Sequence, residues 1–309
     1  MTAPSRHATP PEALAAVEHE HPTLATLVAE CAGAFARAGI DRPRDEARDL
    51  VAAVLDRPRF WPSLHAGQRA APEVTAMIRA AAARRSSGAP FAYAVGRSAF
   101  RFLTLGVDER VLIPRPETEQ LVDLVLGAPV TRAGGGVAVD VGTGSGAIAL
   151  ALAAEARFDT VIATDVSDDA LTVARRNAQA LAASLRTRIV FAAGAGLLPL
   201  GNTRARVIVS NPPYIAFSEM SELPRLVRDW EPASALCCAD DGLAVTRDLI
   251  TGAASLLETG GLLALEADSR RTEDVARLAR ASGAFVDVGV RRDLTGRNRF
   301  VLATRGQPA

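Results

Sequence analysis

The chain has 309 residues, 49 % of them hydrophobic and 23 % charged, the proportions of an ordinary globular protein with room for about two domains. Acidic and basic residues balance at 35 each, for a net charge of +0, so no global field draws the chain to nucleic acid or to an anionic membrane. Cys31, Cys237 and Cys238 form no CxxC pair and read as small buried apolar residues in a reducing, cytoplasmic setting.

In chain order, residues 1–20 are rich in Pro, Thr and Ala, lack the apolar segment of a signal peptide, and read as a disordered extension. His19-Glu20-His21 has one short spacing and reads as solvated. Apolar residues at helical spacing predict helices over 23–38, 42–56 and 71–88, with Gly39 ending the first and Pro43 and acids opening the second. Residues 21–88 thus form a small all-helical domain without a candidate catalytic group. Residues 89–113 alternate apolar and polar positions around aromatics and Gly96, which predicts a β-hairpin connector. Pro116, followed by acids and the run Leu121, Val122, Leu124, Val125, opens a helix and the domain over 114–309. From 136 onward strands (136–141, 160–165, 188–194, 206–210, 261–267, 284–289, 298–303) are interleaved with helices (146–156, 168–181, 242–257, 272–282). That alternation predicts a doubly wound α/β domain with its ligand beyond the C-terminal strand ends. No apolar run reaches the roughly 18 residues of a membrane span. All four histidines lie within the first 65 residues, which excludes a histidine-based triad or zinc site built within the rest of the chain.

The first βα turn reads VDVGTGSGAIAL, with Gly142, Thr143, Gly144, Ser145 and Gly146 between strand and helix. A glycine turn alone is an ordinary tight turn. The missing Lys-Ser/Thr excludes a phosphate-cradling P-loop, and GxGxG departs from the GxGxxG dinucleotide fingerprint. Asp140 sits two residues before the first glycine. A carboxylate there repels a pyrophosphate and suits a cationic ligand. Asp165 ends the next strand, where an acid accepts both ribose hydroxyls; alone it could be a helix N-cap. Together Asp140, the glycine turn and Asp165 favour S-adenosylmethionine, with no metal.

Strand 206–210 ends in Asn211-Pro212-Pro213-Tyr214. Methyl transfer to a planar amino group needs position and acceptors for its N–H groups rather than an acid or base of matched pKa. Asn211 Oδ1 and the Pro212 carbonyl are such acceptors, two prolines stiffen the corner, and Tyr214 offers a flat face. A bare Asn-Pro-Pro is more often a plain turn; closing the fourth strand of this pattern, the tetrad is specific.

The segments VLIPRPETEQLV (111–122), VDVGTGSGAIALALA (139–153), ATDVSDDAL (163–171), RRNA (175–178), VSNPPYI (209–215), WEPASAL (230–236) and DLTGRNRFVLA (293–303) resemble the HemK/PrmC family of release-factor glutamine N5-methyltransferases, over about residues 23–303. The resemblance implies a Rossmann-like class I S-adenosylmethionine-dependent methyltransferase domain with a seven-stranded mixed sheet behind a helical domain that grips the release factor. It implies methylation of the side-chain amide of the glutamine in a Gly-Gly-Gln loop, leaving S-adenosylhomocysteine. Cofactor contacts then map onto Gly142 through Gly146, Asp165 and Asn211, and substrate contacts onto Asn211, Pro212, Pro213 and Tyr214. Arg115, Glu117 and Thr118 are second-rank candidates, and Glu231 and Glu266 stand at matching motif positions. Two positions depart from the family. Ala195 and Gly196 stand where an acid and an apolar residue usually hold the adenine, and Phe102 stands where glycine is common. NPPY is shared with N6-adenine DNA methyltransferases, so a nucleic-acid amino-methyltransferase is the second reading; zero net charge and no DNA-reading module argue against it. A weakened binding module that keeps the fold is the third.

Overall fold

The computed structural model describes residues 21–239 and 241–307. The extension expected over residues 1–20, with His19 and Glu20, lies outside them. The described chain divides into two compact units between Ser86 and Ser87.

In the first unit Thr23 caps α1 (Leu24–Arg37): its side chain accepts the Thr26 backbone N–H at 3.2 Å, satisfying one of the free donors of the first turn. Pro43 opens α2 (Pro43–Val54) with Asp45 and Glu46 in the first turn, where the helix dipole favours acids. After a short helix at Trp61–Leu64, a long helix, α3, spans Pro72–Ser86. Leu27, Phe35, Leu50 and Ile78 are fully buried among them, each contributing about 2 kcal/mol by removal from water.

The second unit begins with one short helix at Phe91–Val95, then a hairpin of β1 (Arg97–Phe100) and β2 (Leu103–Gly106). It continues through α4 (Pro116–Gly127), β3 (Val137–Val141), α5 (Ala147–Glu155), β4 (Thr160–Asp165), α6 (Asp168–Ala180), β5 (Ile189–Ala193) and β6 (Ala205–Ser210). Two short strands, β7 (Ile215–Ala216) and β8 (Cys237–Cys238), pair with each other beyond the main sheet. Then come α7 (Ala244–Leu256), β9 (Leu257–Glu266), α8 (Thr272–Ala281), β10 (Phe285–Arg292) and β11 (Asn298–Arg305).

Seven strands make one sheet in the order β10-β11-β9-β6-β3-β4-β5. The pairs from β9 to β5 are parallel and β11 is antiparallel to both neighbours, as the mixed doubly wound reading requires. Parallel strands buried on both faces read as continuous apolar runs, as residues 207–209 of β6 and 262–265 of β9 do. One face carries α4 and α5 through Leu121, Val125, Leu150 and Leu152; the other carries α7 and α8 through Leu249, Ala253, Val275 and Ala279. Helix α5 is apolar all round and buried from Ala147 to Ala153, as a helix enclosed on every side must be. The strand order reverses between β3 and β6, and a crevice opens there at the strand ends.

Candidate active site

Strand register places the candidate residues. Val141 pairs with Thr164 on one side and with Ser210 on the other. Asp165 pairs with Ala193, and Ser210 with Leu265. Gly142, Asp165, Gly194, Asn211 and Glu266 therefore leave the sheet along one edge, with the glycine turn between the acid and the tetrad. Segments 140–146, 165 and 211 are remote in sequence; the parallel ladder alone makes them neighbours.

The turn is held from beneath. Gly142 and Thr143 backbone N–H groups both donate to the Thr164 carbonyl at 2.9 Å. Gly142 (φ 72°) and Gly144 (φ 54°) take left-handed conformations, and a Cβ at either would meet nothing within 4 Å; there the backbone faces open space. Gly146 (φ 85°) serves packing instead: a Cβ would lie 3.0 Å from Leu150 Cδ1 and 3.3 Å from Ala174 Cβ, so its absence lets α5 lie close to α6.

Asp140 is fully buried. Its Oδ2 accepts the Thr143 hydroxyl at 2.6 Å and the Ala149 backbone N–H at 3.0 Å, while Oδ1 has no partner. Burial pushes this carboxyl up to about 7. Asp140 thus sits behind the turn and holds it; it does not line the cavity, and the ligand contact expected for it is not what the structure shows. Side chains alternate along a strand, and Asp140 falls on the face that carries α5.

Asp165 does line the cavity. Its Oδ2 accepts Gly144 N–H and its Oδ1 accepts Ser167 N–H, each at 2.9 Å. The N-cap of α6 is Ser167, whose hydroxyl accepts Ala170 N–H at 3.1 Å, so capping is not the reason for Asp165. A carboxylate oxygen accepts more than one hydrogen bond, and both oxygens keep capacity for a diol.

Around the tetrad three motif segments converge. Asn211 Nδ2 donates to the Thr118 hydroxyl at 3.1 Å, and that hydroxyl donates to Glu266 Oε2 at 2.8 Å. Thr118 and Glu266 are both buried, and burial pushes Glu266 up to about 7. Arg115 donates to Glu231 Oε1 at 2.6 Å; Glu231 is buried and raised by that burial. After the tetrad, β7 is anchored by Glu219, which accepts from Ala216 N–H at 3.1 Å and from Arg271 at 2.7 Å. Arg271 also donates to the Asp241 carbonyl at 2.6 Å. Gly242 (φ 82°) packs on this segment so closely that a Cβ would reach the Tyr214 carbonyl at 2.5 Å. The corner is fixed at both ends.

These strand ends enclose a cavity of about 540 Å³, within the range of small-molecule sites. Of the predicted residues, Gly142, Gly144, Asp165, Asn211, Pro212 and Pro213 line it, with Ala195 and Gly196. Thr143, Ser145 and Gly146 belong to the turn but not to the wall. Tyr214 is half-buried and does not line this cavity, its phenol pushed up by burial and by nearby Glu266. Sequence reasoning missed Ser167, the adjacent free cysteines Cys237 and Cys238, and Asp248, all lining residues. For Asp248 a signal exists one helical turn on. A Cβ at Gly252 would lie 2.8 Å from Leu197 Cδ1, so this face of α7 packs on the loop after Ala195 and Gly196. Among the described residues no group of His, Cys, Asp and Glu is arranged to hold a metal ion.

Two family models match the chain. Residues 123–226 match the family model described as methyltransferase small domain, and residues 26–96 match the PrmC N-terminal domain. A release factor glutamine methyltransferase of Moorella thermoacetica is 41 % identical over 92 % of this chain and 99 % of its own length. Its namesake from Mycolicibacterium smegmatis is 39 % identical over 91 % of this chain and 98 % of its own. Among solved structures, the hMettl16 catalytic domain, crystallised with an RNA hairpin, superposes with a TM-score of 0.51 at 14 % identity, covering 78 % of this chain and 84 % of its own. A methyltransferase from Pyrococcus furiosus does so with a TM-score of 0.50 at 19 % identity, covering 66 % and 90 %. Those two structures speak for the fold.

Proposed function

The chain belongs to the release factor glutamine methyltransferase family, and from that premise we propose that it transfers a methyl group from S-adenosylmethionine to the side-chain amide nitrogen of a release-factor glutamine, in the cytoplasm. The observation that carries this reading is the register that sets Asp165, Gly142 and Asn211 side by side on one cavity. Asp165 would hold the ribose hydroxyls, and the open backbone at Gly142 and Gly144 would admit the amino-acid portion of the cofactor. Ala195 and Gly196 offer no side-chain acceptor for the adenine amino group; Asp248, on the same cavity wall, supplies one.

Bound there, S-adenosylmethionine provides a methyl carbon on cationic sulfur, which departs with its bonding pair as the amide nitrogen takes the methyl. The protein's part is positioning. Asn211 Oδ1 and the Pro212 carbonyl accept the two amide N–H groups, which turns the amide plane and raises electron density on nitrogen. The amide sheds one proton to water. No imidazole is called for, in keeping with four histidines that all precede residue 66. The first unit supplies grip on the release factor, and nucleic acid is not a substrate.

Incubation of the protein with methyl-labelled S-adenosylmethionine and either a release factor, duplex DNA or structured RNA tests the reading. Label on the release factor supports it. Label on nucleic acid alone, or on none of the three, contradicts it.

A further inference from the structure

Asn211 can serve a substrate amide only in one of its two orientations. With Oδ1 toward the substrate it accepts; with Nδ2 toward the substrate it meets N–H with N–H. The two orientations fill the same space, so shape does not choose between them. The choice is made by whatever sits on the far side of the amide.

That far side is Thr118, whose hydroxyl is 3.1 Å from Asn211 Nδ2 and 2.8 Å from Glu266 Oε2. A hydroxyl has one proton to give. An ionised carboxylate only accepts, so the proton of Thr118 goes to Glu266. Only lone pairs are then left for Asn211, and only an N–H can meet them. We propose that Glu266 and Thr118 are positioning residues that set the hydrogen-bond direction of Asn211, locking its Oδ1 toward the substrate amide. The value of this direction for catalysis rests on the reading above; the direction itself does not.

The arrangement is costly without such a role. Two polar side chains, Thr118 5 % and Glu266 2 % exposed, come from segments 148 residues apart and meet at the base of the tetrad. A buried carboxylate is kept where an apolar residue would fill the space at less cost. The groups facing Glu266 are Arg115 and Glu117 beside Thr118, Arg299 on β11, and the Tyr214 phenol. When Glu266 takes a proton it becomes a donor to Thr118. Thr118 is then free to donate to Asn211 Oδ1, and the orientation is no longer forced.

The test needs no substrate at first. The chain has four asparagines, Asn177, Asn202, Asn211 and Asn298, so selective ¹⁵N-asparagine labelling leaves four side-chain amide pairs in an NMR spectrum. One pair, removed by Asn211→Ala, is expected to shift and broaden in Thr118→Val, to return in Thr118→Ser, and to titrate with a midpoint near 7 that vanishes in Glu266→Gln. In turnover, Thr118→Val is expected to lower kcat about 10- to 100-fold with the dissociation constant of S-adenosylhomocysteine within about twofold, and Thr118→Ser to recover most of the rate. The wild-type kcat falls as pH drops through the same midpoint, and Glu266→Gln loses that limb. An Asn211 amide pair indifferent to Thr118→Val overturns the proposal, whatever the substrate proves to be. Equal losses in Thr118→Val and Thr118→Ser overturn it as well, since a packing role predicts no rescue by the hydroxyl.

Discussion

Under the proposed function Asn211 and Asp165 divide the labour of the cavity, and their substitutions should fail differently. Asn211→Ala removes an acceptor aimed at the reacting amide; kcat should fall by about 10²-fold or more, with S-adenosylhomocysteine binding nearly intact by calorimetry. Asp165→Ala removes the acceptor of a diol and also the support of Gly144 N–H. Losing two charged hydrogen bonds at about 1.5 kcal/mol or more each should weaken S-adenosylhomocysteine about 100-fold or more in the same measurement. Asp248→Ala should weaken it too, and by less for an analogue whose adenine lacks the amino group; equal losses for both ligands would remove Asp248 from the adenine site. Gly142, Gly144, Asp165 and Asn211-Pro212-Pro213 were legible as one site because each stands at the C-terminal end of a strand that periodicity alone locates. Asp140 was legible as important but not in its role: which face of β3 it occupies follows from strand parity and from α5, not from its distance to a glycine. The pairing of Thr118 with Glu266 was illegible, because a hydrogen bond between remote segments leaves no local pattern.

At the scale of elements, the strands and long helices stand close to where periodicity puts them, since apolar faces must be buried with the right period. The misses have specific causes. Residues 91–95, within the stretch expected to form the hairpin connector, form a helix, and Gly96 at φ 70° is its left-handed cap, so the glycine taken for a hairpin signal is a helix stop. Strand β9 begins at Leu257, directly after α7. Its ladder to β6 slips between Ala205–Leu257 and Val207–Leu262, and Gly260 and Gly261 in that bulge hide the first part of the strand. The departure at Phe102 has a structural answer. The left-handed residue of that turn is Arg101 at φ 55°, held by Glu155 and Asp123 at 2.7 Å each, and Phe102 needs no glycine-like backbone. Within the glycine turn only Gly146 is tightly packed. Gly146→Ala places a Cβ against Leu150 and Ala174 at a positive φ and should cost about 1–3 kcal/mol, read as a lower urea midpoint with unchanged slope. Gly142→Ala, with open space around it, should cost less stability, the conformational penalty alone.

For the molecule as a whole, the buried carboxyls of Asp140 and Glu266 make stability fall as pH rises toward 7. Asp140 moves from an ordinary 3.8 to about 7, and Glu266 from 4.5 to about 7, both by burial. A raised acid keeps its proton in the folded chain while the unfolded chain has lost it. The contribution of each is full below its ordinary value, declines as pH rises toward 7, and is gone above. Asp140→Asn keeps acceptors for Thr143 and Ala149 and cannot ionise. Its Tm relative to wild type should therefore rise between pH 5 and pH 8; a difference that stays constant across that range would contradict the assignment. Neither unit contains a helix long and apolar enough to cross a membrane among the described residues.

The central claim is that one edge of a parallel sheet assembles a methyl-donor site against an amide-accepting corner. It is tested most directly by mass spectrometry of a release factor co-expressed with this chain in a host lacking its own glutamine methyltransferase. The account predicts a single added methyl on the glutamine side-chain amide with the wild-type chain and none with Asn211→Ala. An unmodified glutamine with the wild-type chain, or full methylation with Asn211→Ala, would contradict it.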